Sequence, residues 1–191
     1  VLLKNVGGAL PLRPEAGEPL PVAVFGIGQL FTACCQKAMT PWRTIDILSG
    51  LCASEYVKPD GLLAHKYRAW AVEHPNGEPL PLSGISLEEL TEHCRAALLV
   101  VTRRPEDYRP QLTAEETQMI ASVSAAFERS VLILNTPGYM ELGEAARSCA
   151  AVVFMGIPGQ EAGYALCDLL PAKLMPAGRL AHSWPLRLSD F

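Results

Sequence analysis

The sequence lacks any apolar run of the roughly 18 to 20 residues that a membrane-spanning helix needs, so we expect no membrane partner. It also lacks a basic excess, because 16 lysines and arginines stand against 20 aspartates and glutamates. Nucleic-acid sites neutralise phosphates with basic side chains, so this balance argues against a nucleic-acid partner. With 49% hydrophobic residues among 191, the chain can bury a sizeable core, and we predict one domain over residues 1–191.

Several signatures of catalytic and metal chemistry are also missing. There is no Gly-x-Ser-x-Gly elbow, no phosphate-binding P-loop and no Cys-x-x-Cys pair, and the four histidines are not spaced as metal ligands. We therefore expect no metal and no cofactor, and we interpret the cysteines as free thiols in a reducing compartment. The chain opens on Val1 without a signal-peptide pattern, so we expect a cytoplasmic fragment of a longer, multidomain protein.

Short, continuous apolar runs are present instead, and they alternate with helical patterns. Runs without polar alternation are typical of strands that are buried on both faces of a parallel sheet. The predicted strands are 22–26, 97–102, 130–135 and 151–155, and the predicted helices are 45–51, 61–70, 86–96, 113–127, 140–148 and 160–170. Thr113-Ala114-Glu115-Glu116 is a capping-box pattern that predicts the start of the helix 113–127. This order predicts a three-layer α/β sandwich with a mainly parallel sheet, flavodoxin-like in appearance.

A charged segment follows the strand 97–102 directly. Ligand chemistry in open α/β sheets lies beyond the carboxyl ends of the strands, and Arg103, Arg104, Glu106 and Asp107 occupy that position. A general acid must keep its proton near neutral pH, which burial and the neighbouring Asp107 favour for Glu106 and the arginines oppose. The residues alone also fit an exposed, salt-bridged loop.

Two other features suggest ligands. Gly26-Ile27-Gly28 follows a strand, as in dinucleotide-binding folds, but the third glycine of that pattern is replaced by Phe31. The two glycines also fit a sharp turn. Trp42 lies in the loop after the first strand, where an aromatic ring can stack on a sugar.

The order of several motifs resembles the second domain of glycoside hydrolase family 3, the β-glucosidase family. The similar segments are Val1-Leu2-Leu3-Lys4-Asn5, Gly8-Ala9-Leu10-Pro11-Leu12, Val22-Ala23-Val24-Phe25-Gly26, Ile47-Leu48-Ser49-Gly50-Leu51, the strand 131–137, Pro158-Gly159-Gln160-Glu161-Ala162-Gly163, and Pro176-Ala177-Gly178-Arg179-Leu180 with Ser183-Trp184-Pro185. The likeness covers essentially the whole chain.

The resemblance implies a retaining exo-glycosidase that acts on a β-glucoside or oligosaccharide. In that family a preceding barrel domain carries the nucleophilic aspartate, and a loop of the second domain supplies the acid/base glutamate. Glu106 matches that glutamate, with Asp107 as the fallback because the usual flanking glycines are absent. Arg103, Arg104 and Trp42 are the expected substrate contacts, and this chain alone should be inactive. The alternatives are a non-catalytic sugar-binding or structural module, and a flavodoxin-like or Rossmann-like nucleotide binder.

Overall fold

A computed structural model describes residues 1–34, 43–185 and 187–190 of the chain. Its centre is a sheet of six strands in the order β1-β6-β5-β4-β2-β3. The strands are β1 (Leu2–Asn5), β2 (Leu20–Phe25), β3 (Val57–Pro59), β4 (Ala96–Thr102), β5 (Ser130–Asn135) and β6 (Ala151–Phe154). All neighbouring pairs are parallel except β1 with β6. The predicted, mainly parallel sheet is therefore confirmed.

Helices cover both faces of this sheet. They are α1 (Ile47–Cys52), α2 (Gly61–Glu73), α3 (Leu87–His93), α4 (Ala114–Ala126), α5 (Glu144–Ser148) and α6 (Ala162–Leu169). Apolar residues of α1 and α6 pack with one face of the strands, and those of α2, α3, α4 and α5 pack with the other. The three-layer α/β arrangement follows, since the four inner strands β2, β4, β5 and β6 are apolar on both sides.

Side chains at the helix starts explain where several helices begin. Thr113 and Glu116 form the predicted capping box of α4, because each side chain bonds the backbone N–H of the other. Ser86 accepts a hydrogen bond from the N–H of Glu89 and caps α3. Asp46 caps α1 in the same way. None of the helices in the described residues combines the length and apolar character that spanning a bilayer requires.

The strand order creates a switch point between β2 and β4. After β2 the chain first forms β3 on one side and then returns to form β4 on the other side. The connections that leave the carboxyl ends of β2 and β4 therefore diverge to opposite faces of the sheet. Such a divergence opens a crevice at the carboxyl edge, which is where doubly wound folds bind ligands.

Candidate active site

Glu106 lies on a short, exposed turn at the carboxyl end of β4. The turn is one 3-10 helix, Pro105–Asp107, in which the N–H of Asp107 donates to the carbonyl of Arg104 over 3.1 Å. Arg104, Glu106 and Asp107 are exposed. Among the residues that the structure describes, the ion pairs involve neither Glu106 nor Asp107. Their carboxylates therefore face outward from the edge of the sheet.

Arg103 closes the base of this loop. Its guanidinium donates two parallel hydrogen bonds of 2.7 and 2.6 Å to the carboxylate of Glu116. It also donates to the carbonyls of Thr102 and Gln111, which stand at the two ends of the loop. The two side chains are 12% and 17% exposed, so water screens the pair weakly. Arg103 is also among the residues that line a neighbouring cavity, and its predicted contact with substrate stays a prediction.

Two further contacts hold the loop against the connection that follows β5. The hydroxyl of Tyr108 donates to the carbonyl of Tyr139, and the N–H of Glu141 donates to the carbonyl of Pro110 over 2.7 Å. Burial raises the pKa of Tyr108 above its ordinary value, so the hydroxyl keeps its donor hydrogen. The exposed turn is thus fixed on both sides, as a group that must be presented at a constant place requires.

A cavity of about 550 Å³ opens at the switch point between β2 and β4. Phe31, Tyr67 and Leu80 are among its apolar lining, and Arg104 and Asp107 are among its charged lining. Glu106 is not one of the lining residues. The structure therefore brings Arg104 and Asp107 together beside a cavity, with Glu106 on the outer side of the same turn.

Packing against β4 accounts for the two glycines after β2. A Cβ on Gly26, whose φ is +92°, would lie 2.2 Å from the carbonyl oxygen of Val100. A Cβ on Gly28 would lie 2.2 Å from Oγ1 of Thr102. Neither position has room for a side chain, so close packing on β4 accounts for both glycines without a bound nucleotide, and the positive φ of Gly26 also fits the sharp turn.

The predicted sugar-stacking residue, Trp42, lies outside the described residues. Asn135 is a residue of this edge that the sequence analysis missed. It is buried at the carboxyl end of β5, and its side chain bonds the backbone of Ala33 and of Gly156. Its position as a polar residue that ends an apolar strand was the only available signal.

Two solved β-glucosidases contain a domain with this architecture. The chain superimposes over its full length on a β-glucosidase from Paenibacillus barengoltzii with a TM-score of 0.88 at 22% identity. It also superimposes over its full length on β-glucosidase 3B from Thermotoga neapolitana in complex with glucose, with a TM-score of 0.86 at 27% identity. The fold is thus that of a domain found in these glycoside hydrolases.

The family follows from the sequence. The model of the glycosyl hydrolase family 3 C-terminal domain matches residues 1–191, and the chain belongs to this family. A β-glucosidase of Rhizobium radiobacter is 32% identical over 126 residues, which are 60% of this chain and 15% of that protein. The chain likewise spans 23% and 30% of the two solved structures. The resemblance found in the sequence is confirmed.

Proposed function

We propose that this chain is the second domain of a retaining, β-glucosidase-like exo-glycosidase, in which Glu106 is the acid/base. A barrel domain of the same protein would carry the nucleophile, and the substrate would be a β-glucoside or an oligosaccharide. The observation that carries the proposal is an exposed glutamate on an anchored turn, at the carboxyl edge of a family 3 C-terminal domain. The small share of each relative that the chain spans supports the presence of a further domain.

The proposed reaction has two steps. Glu106 first protonates the glycosidic oxygen while the nucleophile of the barrel attacks the anomeric carbon, which forms a glycosyl-enzyme and releases the leaving group. Glu106 then accepts a proton from water, which displaces the nucleophile and releases the sugar. This mechanism needs the two carboxyl groups about 5 to 5.5 Å apart. An outward-facing Glu106 is suited to that requirement.

Docking of the barrel would also suit Glu106 to general acid catalysis. The carboxylate is exposed in this chain, and a carboxyl group that is covered by another surface holds its proton more readily. The barrel would thus supply both the nucleophile and the burial that general acid catalysis near neutral pH needs. Arg103, Arg104 and Asp107 line the cavity and would bond sugar hydroxyls, and Trp42 remains a proposed stacking residue.

The decisive test is Glu106→Gln in the full-length protein, assayed on an aryl β-glucoside. We expect kcat to fall by about 100- to 10,000-fold, because glutamine cannot donate or accept the proton. Azide should restore turnover of an activated aryl glycoside, since a small anion can replace the missing base. Glu128→Gln, which changes an exposed glutamate beyond the end of α4, is the matched control and should leave kcat unchanged.

Asp107→Asn decides between the two neighbouring carboxylates. Loss of activity with azide rescue in Asp107→Asn, together with normal turnover by Glu106→Gln, would move the role to Asp107. Normal turnover by both variants would show that this loop does not supply the acid/base. The isolated chain should be inactive, and robust turnover by it would contradict a site shared with a barrel.

The cavity between β2 and β4 favours a second candidate function, a sugar-binding module without a catalytic role. Its apolar lining and its charged rim fit an amphipathic ligand such as a sugar ring. Titration of the chain with glucose and with a β-linked disaccharide would reveal such binding. Saturable binding, combined with full activity of Glu106→Gln in the full-length protein, would favour this function over catalysis.

A further inference from the structure

We propose that Asp60, His93 and Cys94 form a binding site for a divalent transition-metal ion, and that Zn²⁺ is the ion that fits these donors. Asp60 precedes α2, whereas His93 and Cys94 stand at the end of α3. The fold brings one carboxylate oxygen, one imidazole nitrogen and the sulfur within 4.8 Å of one another. Oδ2 of Asp60 and Nε2 of His93 are 3.1 Å apart.

The donor set and its size select the ion. Zinc bonds of about 2.0 to 2.3 Å to sulfur, nitrogen and oxygen place tetrahedral ligand atoms about 3.3 to 3.8 Å from one another. Oδ2 of Asp60 and Nε2 of His93 lie 3.1 Å apart, and all three donor atoms lie within 4.8 Å of one another, so side-chain adjustments would bring the three atoms to that spacing. A sulfur and an imidazole are poor ligands for Mg²⁺ or Ca²⁺, which take oxygen. Three protein ligands leave a fourth position for water.

The surroundings orient two of the ligands. Oδ1 of Asp60 accepts the N–H of Leu63 over 2.7 Å, which holds the carboxylate at the start of α2 and leaves Oδ2 directed at His93. Cys94 is buried in the core, and its own N–H bonds the carbonyl of Leu90. Orientation of ligands by such outer contacts is usual in metal sites. His93 is exposed, so an ion can enter from solvent.

A hydrogen bond between Asp60 and His93 alone would explain less. The imidazole is about half exposed, and a pair of that kind contributes little to stability. Such a pair also leaves the nearby sulfur of Cys94 with a packing role alone. A bound ion uses all three atoms and would link the start of α2 to the end of α3.

The site is separate from the Glu106 loop. Cys94 precedes β4 and Glu106 follows it, and the seven residues of β4 span about 20 Å. The inference therefore does not depend on the proposed glycosidase function. An ion held there would stabilise the fold, because its binding free energy adds to the free energy of folding.

The test is a zinc titration of the chain in competition with a chromophoric chelator. We expect one tightly bound ion per chain, and at least about tenfold weaker binding in Asp60→Asn, His93→Gln and Cys94→Ala. Asparagine is a good N-cap, so Asp60→Asn keeps the start of α2 while it removes the charge. His65→Gln and Cys52→Ala change an exposed histidine and an exposed cysteine outside the cluster, and they should bind zinc as the unchanged chain does.

Cobalt provides a spectroscopic signal that depends on direct bonding between the ion and the sulfur of Cys94, and not on the contribution of Cys94 to the fold. Co²⁺ should give a thiolate-to-metal charge-transfer band in the near ultraviolet that disappears in Cys94→Ala and persists in Cys52→Ala. Circular dichroism without metal checks that each variant is folded. The proposal is overturned by the absence of saturable binding, by unchanged binding in His93→Gln and Cys94→Ala, or by a band that depends on Cys52 instead.

Discussion

Asn135 shows how one buried side chain can hold the candidate active edge together. Its Oδ1 accepts the N–H of Ala33 over 2.6 Å, and its Nδ2 donates to the carbonyls of Ala33 and Gly156 over 2.9 and 2.8 Å. The residue therefore ties the connections after β2 and β6 to the end of β5. Each of these backbone groups would lose its side-chain partner if the amide were removed.

Asn135→Ala should lower the free energy of unfolding by about 2 to 4 kcal/mol, because it leaves buried polar groups without partners. Asn135→Asp should also destabilise, since a carboxylate cannot donate to the two carbonyls. Urea denaturation measures both effects. Asn76→Ala, at an exposed asparagine, should change stability by no more than about 0.5 kcal/mol. Equal stability of all these variants would contradict the structural role.

The buried hydroxyl of Tyr67 should make the stability of the fold depend on pH in the alkaline range. Burial raises the pKa of Tyr67 from its ordinary value of 10.0 to about 12. The hydrogen bond from the N–H of Gly26 lowers this pKa, but by less than burial raises it. The unfolded chain therefore loses this proton at lower pH than the folded chain. The stability that the buried, protonated hydroxyl contributes is fully present below pH 10. It is lost as the pH rises through 12, and the free energy of unfolding falls by about 1.4 kcal/mol per pH unit in that range.

Urea denaturation at several pH values from about 9 to 12 measures this slope. Burial also raises the pKa of Cys149 to about 11 and that of Cys167 to about 12, which adds a loss of the same sign. In Tyr67→Phe the free energy of unfolding should fall less steeply with pH above 10, by about 1.4 kcal/mol per pH unit. The same variant should be less stable at neutral pH, because the N–H of Gly26 loses its acceptor. Tyr164→Phe, at an exposed tyrosine, should leave the slope unchanged.

At the scale of elements, an ion pair joins the two ends of the loop from β4 to α4. Arg103 follows β4, and Glu116 lies in the first turn of α4. Glu116 serves the capping box and the ion pair together. We infer that this pair positions Glu106.

Arg103→Met and Glu116→Gln should each destabilise the domain by about 1 to 3 kcal/mol, and the double variant should cost less than their sum. Glutamine can still complete the capping box, so Glu116→Gln isolates the loss of charge. In the full-length protein we expect kcat to fall more than KM rises, because the turn would be less fixed. The exposed pair of Arg147 and Glu144 provides the control, with an expected effect below about 1 kcal/mol. Additive effects of Arg103→Met and Glu116→Gln would contradict the coupling.

The elements with strong local signals were predicted well from sequence. The strand 130–135 and the capping box at Thr113 are confirmed. β1 and β3 were not predicted from the sequence. β1 has four residues and pairs with β6, β3 has three residues and pairs with β2, and these pairings alone make them strands. The predicted helix 140–148 is confined to Glu144–Ser148, because Gly143 has a φ of +50° that a helix does not allow.

At the scale of the whole molecule, β1 protects one edge of the sheet. It pairs antiparallel with β6, and Nζ of Lys4 donates to the carbonyls of Ala146, Arg147 and Cys149 near the end of α5. The first strand is thus joined to the last strand and to a helix. Without β1, β6 would expose a row of unpaired backbone groups, which favours association between chains.

Deletion of residues 1–5 should therefore lower the thermal midpoint and cause self-association. Size-exclusion chromatography and thermal unfolding measure the two effects. Lys4→Met, which keeps the strand and removes only the bonds of the ammonium group, should lower the midpoint less and leave the chain's association unchanged. A truncated chain that elutes and melts like the intact one would contradict the protective role of β1.

The carboxyl end of β4 could be chosen from the sequence as the candidate site, because ligands bind beyond the ends of buried parallel strands, but the contacts around it could not. The role of Glu106 there rests on the family resemblance and stays a prediction. The bond between Arg103 and Glu116 joins residues from separate elements, and Asp60 and His93 are 33 positions apart. Proximity of that kind depends on how helices settle on the sheet, which no local pattern encodes.

Trp184 packs edge-on against Tyr139 and Phe154, with ring centres 5.6 and 5.0 Å away. The carbonyl of Tyr139 in turn accepts the hydroxyl of Tyr108, two residues from Glu106. An indole in this position is an intrinsic fluorophore beside the turn that carries Glu106. Its emission wavelength would shift as a neighbouring surface excludes water there, so docking of the proposed barrel domain could be followed by light without attaching any dye.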